Sequence, residues 1–181
     1  MTKEKLSKTT ISLHWIVAFA MLVIMAMGIY MHETETFALY PIHKSLGFVA
    51  LFVILARIAW RMKEGWPEDA SDSAEWQKKA ARAVHWILIT GTALFPVSGL
   101  MMSVAGGNGL AVFGMELIAR NPNPDNPAKA LPLNETLAGL GHVVHNALVP
   151  IMVLAIVLHI LGAVKHHLVD KDVTVSRMLG K

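Results

Sequence analysis

Two histidines, His145 and His159, frame an apolar stretch in which Asn146 is the only polar residue. Fourteen positions on an α-helix advance by about 21 Å and fall about 40° short of four full turns, so the two imidazoles lie on nearly one face. A neutral imidazole is a common metal ligand, and an ionisable residue at membrane depth is usually functional. The stretch therefore predicts one helix that presents two ligands at two depths, as two stacked cofactors would require.

The composition indicates a protein of the bilayer. Of 181 residues, 54% are hydrophobic and only 16% are charged, and the mean hydropathy is +0.49. The absence of cysteine excludes disulfides, thiolate metal sites, iron–sulfur clusters and covalently attached haem. Any metal or cofactor must therefore be held by histidine, methionine or carboxylate.

Four apolar stretches approach or exceed the length of about 20 residues that crosses a bilayer. They cover residues 11–31, 43–60, 83–104 and 142–164. The sequence thus predicts an all-α integral membrane four-helix bundle, with residues 1–181 as a single transmembrane domain. A turn-rich loop is expected at GWPEDASDS, and the Gly- and Pro-rich connection over 106–141 is expected to lie outside with a short interfacial helix at LAVFGMELIA.

The distribution of basic residues predicts the orientation. Of 16 Lys and Arg, thirteen lie before the first helix, from Arg57 near the end of the second helix to Arg82 before the third, or after the fourth. Lys44, Arg120 and Lys129 lie on the other side. Because positive charge concentrates in cytoplasmic segments, both termini are expected in the cytoplasm. The net charge of +3 is explained by this topology and does not indicate nucleic-acid binding.

Two further histidines match the first two in depth. His14 opens the first helix level with His159, and His43 opens the second helix level with His145. A b-type haem held by two histidines needs neutral imidazoles from facing helices at equal depth, and bundle cores provide such sites. The sequence therefore predicts two haems. The inner iron is bound by His14 and His159, and the outer iron by His43 and His145.

His85 is a competing candidate for the inner site. ISLHWIVAFAMLVIMAMGIYM and RAVHWILITGTALFPVSGLMM share His-Trp-Ile, a Gly fourteen residues after the His and a Met seventeen residues after it. His85 thus opens the third helix as His14 opens the first, and depth alone does not separate them as ligands. We favour a supporting role for His85, with an interfacial anchor as the alternative.

Arg57 and Arg61 close the second helix at the cytoplasmic side, near the inner histidines. They either pair with haem propionates through charge-assisted hydrogen bonds or anchor the helix end. Zinc is a weaker explanation for the nine histidines, because a tetrahedral site needs three or four close ligands and the buried histidines form distant pairs.

Several motifs occur together in this chain: SLHW, HKSLG, VHWILI, VFG, the His145 to His159 spacing and the closing KHHLVDKDVTVSRM. In this combination the chain resembles the bacterial cytochrome b561 family of dihaem four-helix membrane proteins over nearly its whole length. The resemblance implies the haem ligands paired above by depth, and it implies that His85 is not one of them. It also implies a multi-pass protein of the bacterial inner membrane, surrounded by lipid.

The same resemblance implies electron transfer between a periplasmic-side donor and the quinone pool. A characterised member of the family oxidises superoxide and reduces ubiquinone, so superoxide is a candidate donor and ubiquinone the expected acceptor. By that likeness His166 is a candidate for the quinone site, and we add His85 as a second. Whether the chain is a superoxide:ubiquinone oxidoreductase is left open, because Arg120 and Lys129 face five carboxylates in the outer loops. No residue is assigned to catalysis.

Two other functions remain as alternatives. The chain is either a haem-bearing membrane subunit of a dehydrogenase or hydrogenase complex, with a redox protein as its donor, or, less favoured, a metal-binding membrane protein without haem. Haem absorption separates the last from the others.

Overall fold

A computed structural model describes residues 5–65 and 74–181. It contains four long helices and one short helix. Their bounds are α1 Lys8–Thr34, α2 Tyr40–Glu64, α3 Glu75–Leu100, α4 Glu135–Leu168 and α5 Thr174–Met178. The first four are each long and apolar enough to cross a membrane, and α3 continues to Ala105 through a π-helical turn, Met101–Ala105. The predicted membrane four-helix bundle is confirmed.

Each helix extends past the apolar stretch that predicted it, because polar turns continue the helix at its ends. Ser7 caps α1 by accepting a hydrogen bond from the Thr10 amide at 3.1 Å. Asn134 caps α4 by accepting from the Leu137 amide at 3.0 Å. Hydropathy alone does not detect such capped polar turns. All but the first residue of the turn-rich loop predicted at GWPEDASDS lies outside the described residues.

Large apolar side chains cover the outside of the bundle. Phe19 is 71% exposed, Leu154 60% and Phe52 58%. The interior is narrow and holds smaller or flexible side chains such as Val17, Ile54 and Met152, which are almost fully buried. A soluble protein rarely exposes so much contiguous apolar surface. This outer surface therefore faces the hydrocarbon of the bilayer.

Glycines allow α3 and α4 to pack closely. A Cβ atom at Gly91 of α3 would lie 2.2 Å from Met152 Sδ, and one at Gly141 of α4 would lie 2.9 Å from both the Met102 amide nitrogen and the Ser98 carbonyl oxygen. Small residues at such contacts are typical of helices that pack in membranes. The contact between α3 and α4 therefore depends on these two glycines.

The connection between α3 and α4 forms two antiparallel hairpins. Strands β1 (Leu110–Val112) and β2 (Met115–Ile118) form the first, and β3 (Pro122–Asn123) and β4 (Asn126–Ala130) form the second. The prediction of an interfacial helix at LAVFGMELIA is therefore wrong. Phe113 and Gly114, with φ of 47° and 89°, form a two-residue turn in which both residues have positive φ. The Phe113 amide donates to Ser45 Oγ of α2 at 2.9 Å, which fixes this hairpin on the bundle.

The close contact at Gly141 can be tested by substitution. We expect Gly141→Ala to lower the free energy of unfolding by about 1–3 kcal/mol, because the added methyl group would clash with backbone atoms, which cannot move away as a side chain can. Gly139→Ala is the matched control, since a Cβ there meets nothing within 4 Å. It should be neutral or stabilising by up to about 1 kcal/mol through helix propensity. Thermal unfolding in detergent, followed by circular dichroism, measures both; equal midpoints would contradict the contact.

Candidate functional site

The outer histidines face each other across the bundle. His43 lies in the first turn of α2, and His145 lies in α4. Their ring centres are 6.4 Å apart, with the planes at 77°. The His145 ring also packs edge-on against Phe95 of α3, at 5.1 Å between ring centres. The structure thus brings together the two histidines that were paired by depth in the sequence.

Helix α3 orients the His145 ring. His145 Nδ1 lies 3.2 Å from the Phe95 carbonyl oxygen and 3.0 Å from Ser98 Oγ, and Ser98 Oγ itself donates to the Phe95 carbonyl at 2.9 Å. A carbonyl only accepts, so Nδ1 carries the hydrogen in this arrangement. Nε2 is then the nitrogen with a free lone pair. This is the arrangement in which a protein prepares a histidine to bind a metal.

His43 lacks such support from the protein. Within the described chain, its Nδ1 atom is buried and has no hydrogen-bond partner. The backbone of Ile24 interacts with the ring electrostatically but does not meet hydrogen-bond geometry. A buried polar atom without a partner costs free energy. The protein therefore orients the His43 ring less firmly than the His145 ring.

Two glycines lie against the outer rings, and the one at Gly28 makes room for His43. A Cβ atom at Gly28 of α1 would lie 3.1 Å from His43 Cε1, and one at Gly99 of α3 would lie 3.5 Å from His145 Cε1. These are the glycines that follow His14 and His85 by fourteen residues in the internal repeat. The repeat was visible in the sequence, but the role of its glycines and of Ser98 was missed.

Three imidazoles and one guanidinium meet at the inner depth. The ring centres of His14 and His159 are 6.2 Å apart, with the planes at 53°. His85 lies closer to His159, at 5.2 Å with the planes at 68°. Arg57 Nη2 lies 3.2 Å from His14 Nδ1. All four candidates from the sequence therefore converge here.

The ring separations test whether a metal fits between each pair. Metal–nitrogen bonds of about 2.0–2.1 Å, with about 1.1 Å from nitrogen to ring centre on each side, place two opposite ligands about 6.3 Å apart. The outer pair at 6.4 Å and the His14–His159 pair at 6.2 Å match this separation. His85 and His159, at 5.2 Å, are too close. The geometry therefore fits an iron held by His14 and His159, with His85 beside it.

Arg61 belongs to the network at the C-terminal end of α2. Its Nη2 atom lies 3.6 Å from Glu64 Oε2. Glu64 also accepts from the Thr10 hydroxyl, and Trp60 Nε1 donates to Thr10 Oγ1 at 3.2 Å. These contacts connect the end of α2 to the start of α1. The structure thus gives Arg61 a partner in the protein, while Arg57 points to the inner histidines.

His166 lies at the inner end of α4, beyond the paired histidines. Its Nδ1 atom is 2.8 Å from Asp172 Oδ2 and 3.1 Å from Asp170 Oδ2. Burial raises the pKa of Asp172, but hydrogen bonds from Thr174 and the nearby His166 outweigh this and hold the pKa below its ordinary value. Asp172 is therefore a carboxylate at neutral pH. The sequence analysis had singled out His166 but neither aspartate.

The outer cations are largely occupied by the protein. Lys44 Nζ donates to Ser103 Oγ at 3.1 Å, and Ser103 in turn donates to the Gly109 carbonyl at 2.5 Å. Arg120 donates to the carbonyls of Pro127 and Ala128 at 3.0 and 2.6 Å. Lys44 thus joins the start of α2 to the end of α3, while the contacts of Arg120 stay within the connection between α3 and α4.

Comparison with known proteins gives a consistent result. The family model for prokaryotic cytochrome b561 matches residues 5–181. Cytochrome b561 homolog 2 of Escherichia coli K12 is 29% identical over 188 residues, covering 99% of this chain and 94% of the relative. Cytochrome b561 homolog 1 of the same organism is 26% identical over 183 residues, covering 97% of each.

The match confirms the resemblance that the sequence motifs indicated, including haem b and the bacterial inner membrane as the location. It extends from the first described residue to the last, so no part of the bundle lies outside it. The four helices that are long and apolar enough to cross a membrane agree with this location. This chain therefore belongs to the prokaryotic cytochrome b561 family, whose members are membrane proteins that bind haem b and transfer electrons.

Proposed function

We propose that this protein is a dihaem cytochrome b that carries electrons across the inner membrane, between a donor on the periplasmic side and ubiquinone in the membrane. The strongest support comes from the two pairs of facing imidazoles. The ring centres are 6.4 Å apart in His43–His145 and 6.2 Å apart in His14–His159. Helix α4 supplies one histidine to each, about 21 Å apart along its axis. A bound haem supplies reversible one-electron chemistry at each depth.

The assignment of ligands follows from these distances. His43 and His145 hold the outer haem iron, and His14 and His159 hold the inner one. His85 contacts the ring of a ligand without being one. Basic residues are in excess near the C-terminal ends of α2 and α4. Because such residues concentrate in cytoplasmic segments, the inner pair lies toward the cytoplasm, together with both termini.

Arg57 is the better candidate for a propionate partner. An imidazole that binds iron through Nε2 carries its hydrogen on Nδ1, so His14 can no longer accept a hydrogen bond from Arg57 at that atom. A haem held by His14 would therefore leave the Arg57 guanidinium beside the inner site, where it could donate to a propionate carboxylate. Arg61 keeps its ion pair with Glu64 and acts as an anchor of the helix end.

A role as a haem-bearing subunit that takes electrons from a protein partner is the second candidate. It is favoured by the five carboxylates that accompany Arg120 and Lys129 in the outer loops, because their negative charge weakens the electrostatic attraction of superoxide. It is also favoured by the exposed apolar side chains of the first hairpin, among them Phe113 at 66% and Met115 at 63%. Rapid haem reduction by superoxide in the purified protein supports the first role, and co-purification of a large redox protein supports the second.

A metal-binding protein without haem is less well supported. The outer depth offers two histidines and the inner depth three, whereas a closed zinc site needs four ligands. Within residues 5–65 and 74–181, the cluster that brings three metal-type ligands together is His166 with Asp170 and Asp172. That cluster lies at the inner end of α4, away from both membrane pairs.

Substitution of an outer ligand tests the outer haem. His43→Ala should lower the haem content from two to about one per chain, because the outer haem would be held by His43 and His145 together. His142→Ala is the matched control, since His142 is exposed one turn before His145 on α4. Haem per polypeptide is measured by pyridine haemochrome on detergent-purified protein. Unchanged content in His43→Ala, or a wild type with one haem or none, would overturn the dihaem proposal.

The inner site allows a sharper comparison between two histidines of the internal repeat. His14→Ala should remove about one haem per chain, whereas His85→Ala should keep both, because the His85–His159 separation of 5.2 Å leaves no room for iron. The reduced-minus-oxidised spectrum reports which low-spin band is lost. Loss of a haem in His85→Ala with retention in His14→Ala would exchange the two assignments.

Ser98 is expected to support the outer haem through His145. Ser98→Ala removes the hydroxyl that lies 3.0 Å from His145 Nδ1 but leaves the Phe95 carbonyl. Loss of such a supporting contact typically weakens metal binding by about 10–100-fold, and we expect the lower end here. Thr92→Ala on the same helix is the control, since its hydroxyl donates to the Ile89 carbonyl. The measurement is the rate of outer-haem loss to apomyoglobin; equal rates would exclude the role.

A further inference from the structure

The turn of the first hairpin carries a residue that its backbone does not favour. Phe113 and Gly114 both have positive φ, and glycine, asparagine or aspartate usually occupies such a pair of positions. A bulky side chain at positive φ is strained. The Phe113 side chain is largely exposed, so packing inside the protein gives little compensation for this strain. A ring kept at a strained and exposed position indicates a contact with something outside the chain.

The turn lies close to the depth of the outer histidine pair. The Phe113 amide donates to Ser45 Oγ at 2.9 Å, and the Ser45 hydroxyl donates to the Pro41 carbonyl within α2 at 2.7 Å. Ser45 follows His43 by two residues, which is about 3 Å further into the bundle along α2. The turn is therefore held against the second turn of α2 and does not stand out beyond the end of the bundle.

Two tyrosines mark the outer membrane interface at nearly the same depth. Tyr30 follows Gly28, the residue beside the His43 ring, by two residues on α1, and Tyr40 precedes His43 by three residues on α2. Both are exposed. Tyrosine is enriched at the boundary between water and lipid, because its ring is apolar and its hydroxyl is polar. The hairpin turn thus lies at this boundary, slightly toward the hydrocarbon.

The turn also lies on the lipid-facing side of α2. Ser45, which holds it, is buried. Val49 and Phe52 follow Ser45 by four and seven residues, a spacing that puts all three on one face of the helix. Val49 and Phe52 are exposed on the surface that faces the hydrocarbon. The turn therefore covers the outermost part of a helix face that is open to lipid further in.

The composition of the two hairpins differs in the same sense. From Gly109 to Met115 no side chain is polar, and the Met115 side chain is largely exposed, as that of Phe113 is. The turn of the second hairpin contains the exposed Asp125 instead. The apolar turn is thus continuous with the lipid-facing surface of the helices, and the polar turn is suited to water.

We propose that the turn between β1 and β2 is an interfacial membrane anchor, in which Phe113 and Met115 insert among the lipids of the outer leaflet at the boundary between headgroups and acyl chains. The occupant is a lipid surface, because a soluble protein would have to displace lipid to reach this side of α2. The inference goes beyond electron transfer and does not depend on haem. A protein donor that docks on the same two side chains is the alternative that the test must separate.

The absence of cysteine from the chain allows a direct measurement of depth. Met115→Cys and Phe113→Cys each carry one nitroxide spin label in the full-length protein, reconstituted in nanodiscs of phosphatidylethanolamine and phosphatidylglycerol. Power saturation of the electron paramagnetic resonance signal compares collisions with oxygen, which partitions into lipid, and with a nickel chelate, which stays in water. We expect oxygen to be the more effective partner at both sites, at a depth of about 5–10 Å into the boundary.

Two reference sites make the comparison decisive. Asp125→Cys puts the label on the turn of the second hairpin, where the chelate should be the more effective partner. Phe52→Cys puts it on the lipid-facing side of α2, where oxygen should be.

Labels on residues 113 and 115 that respond like the label on residue 125 overturn the inference and leave the turn to a protein donor. A label on residue 52 that is open to the chelate would overturn it together with the assignment of the helix surface to lipid. An unchanged haem spectrum shows that a labelled variant is folded. Because residues 113 and 115 are tested separately, the loss of one variant leaves the other to decide.

Discussion

The pitch of one helix sets the geometry of this protein. His145 and His159 are separated by fourteen residues, so α4 places two imidazoles about 21 Å apart on nearly one face. Burying an imidazole in a bilayer is costly, and the cost is recovered only if each ring finds a partner at its own depth. His43 of α2 and His14 of α1 meet that requirement, at 6.4 and 6.2 Å between ring centres. The other helices are thus arranged to match two depths that α4 defines.

Backbone proximity makes this arrangement possible. Lipid supplies no hydrophobic force between helices, so close packing must replace it. Gly141 lets α4 approach the backbone at the end of α3, and Gly91 accommodates Met152 in the centre. Gly28 leaves space for the ring of His43. The absence of a side chain at these glycines thus allows close packing both between helices and around one ring of the outer pair.

The sequence predicted what depends on helix periodicity, and it failed where distant contacts decide. Four apolar stretches were enough to predict four helices, and helix spacing was enough to pair histidines by depth. LAVFGMELIA was wrongly expected to be helical, because a short apolar run is compatible with either structure. Its hairpin is fixed by Ser45, 68 residues away in the chain. Likewise, His14 and His85 begin equivalent repeats, and only the measured separations from His159 distinguish them.

The two ends of the bundle are built differently. At the outer end, Lys44 donates to the Ser103 hydroxyl at the end of α3, and Arg120 donates to backbone carbonyls of the second hairpin. At the inner end, His166 is held by Asp172, whose other carboxylate oxygen accepts from the Thr174 amide. The outer cations thus contact neutral acceptors, whereas the inner end places a histidine–carboxylate contact on the helix that supplies a histidine to both pairs.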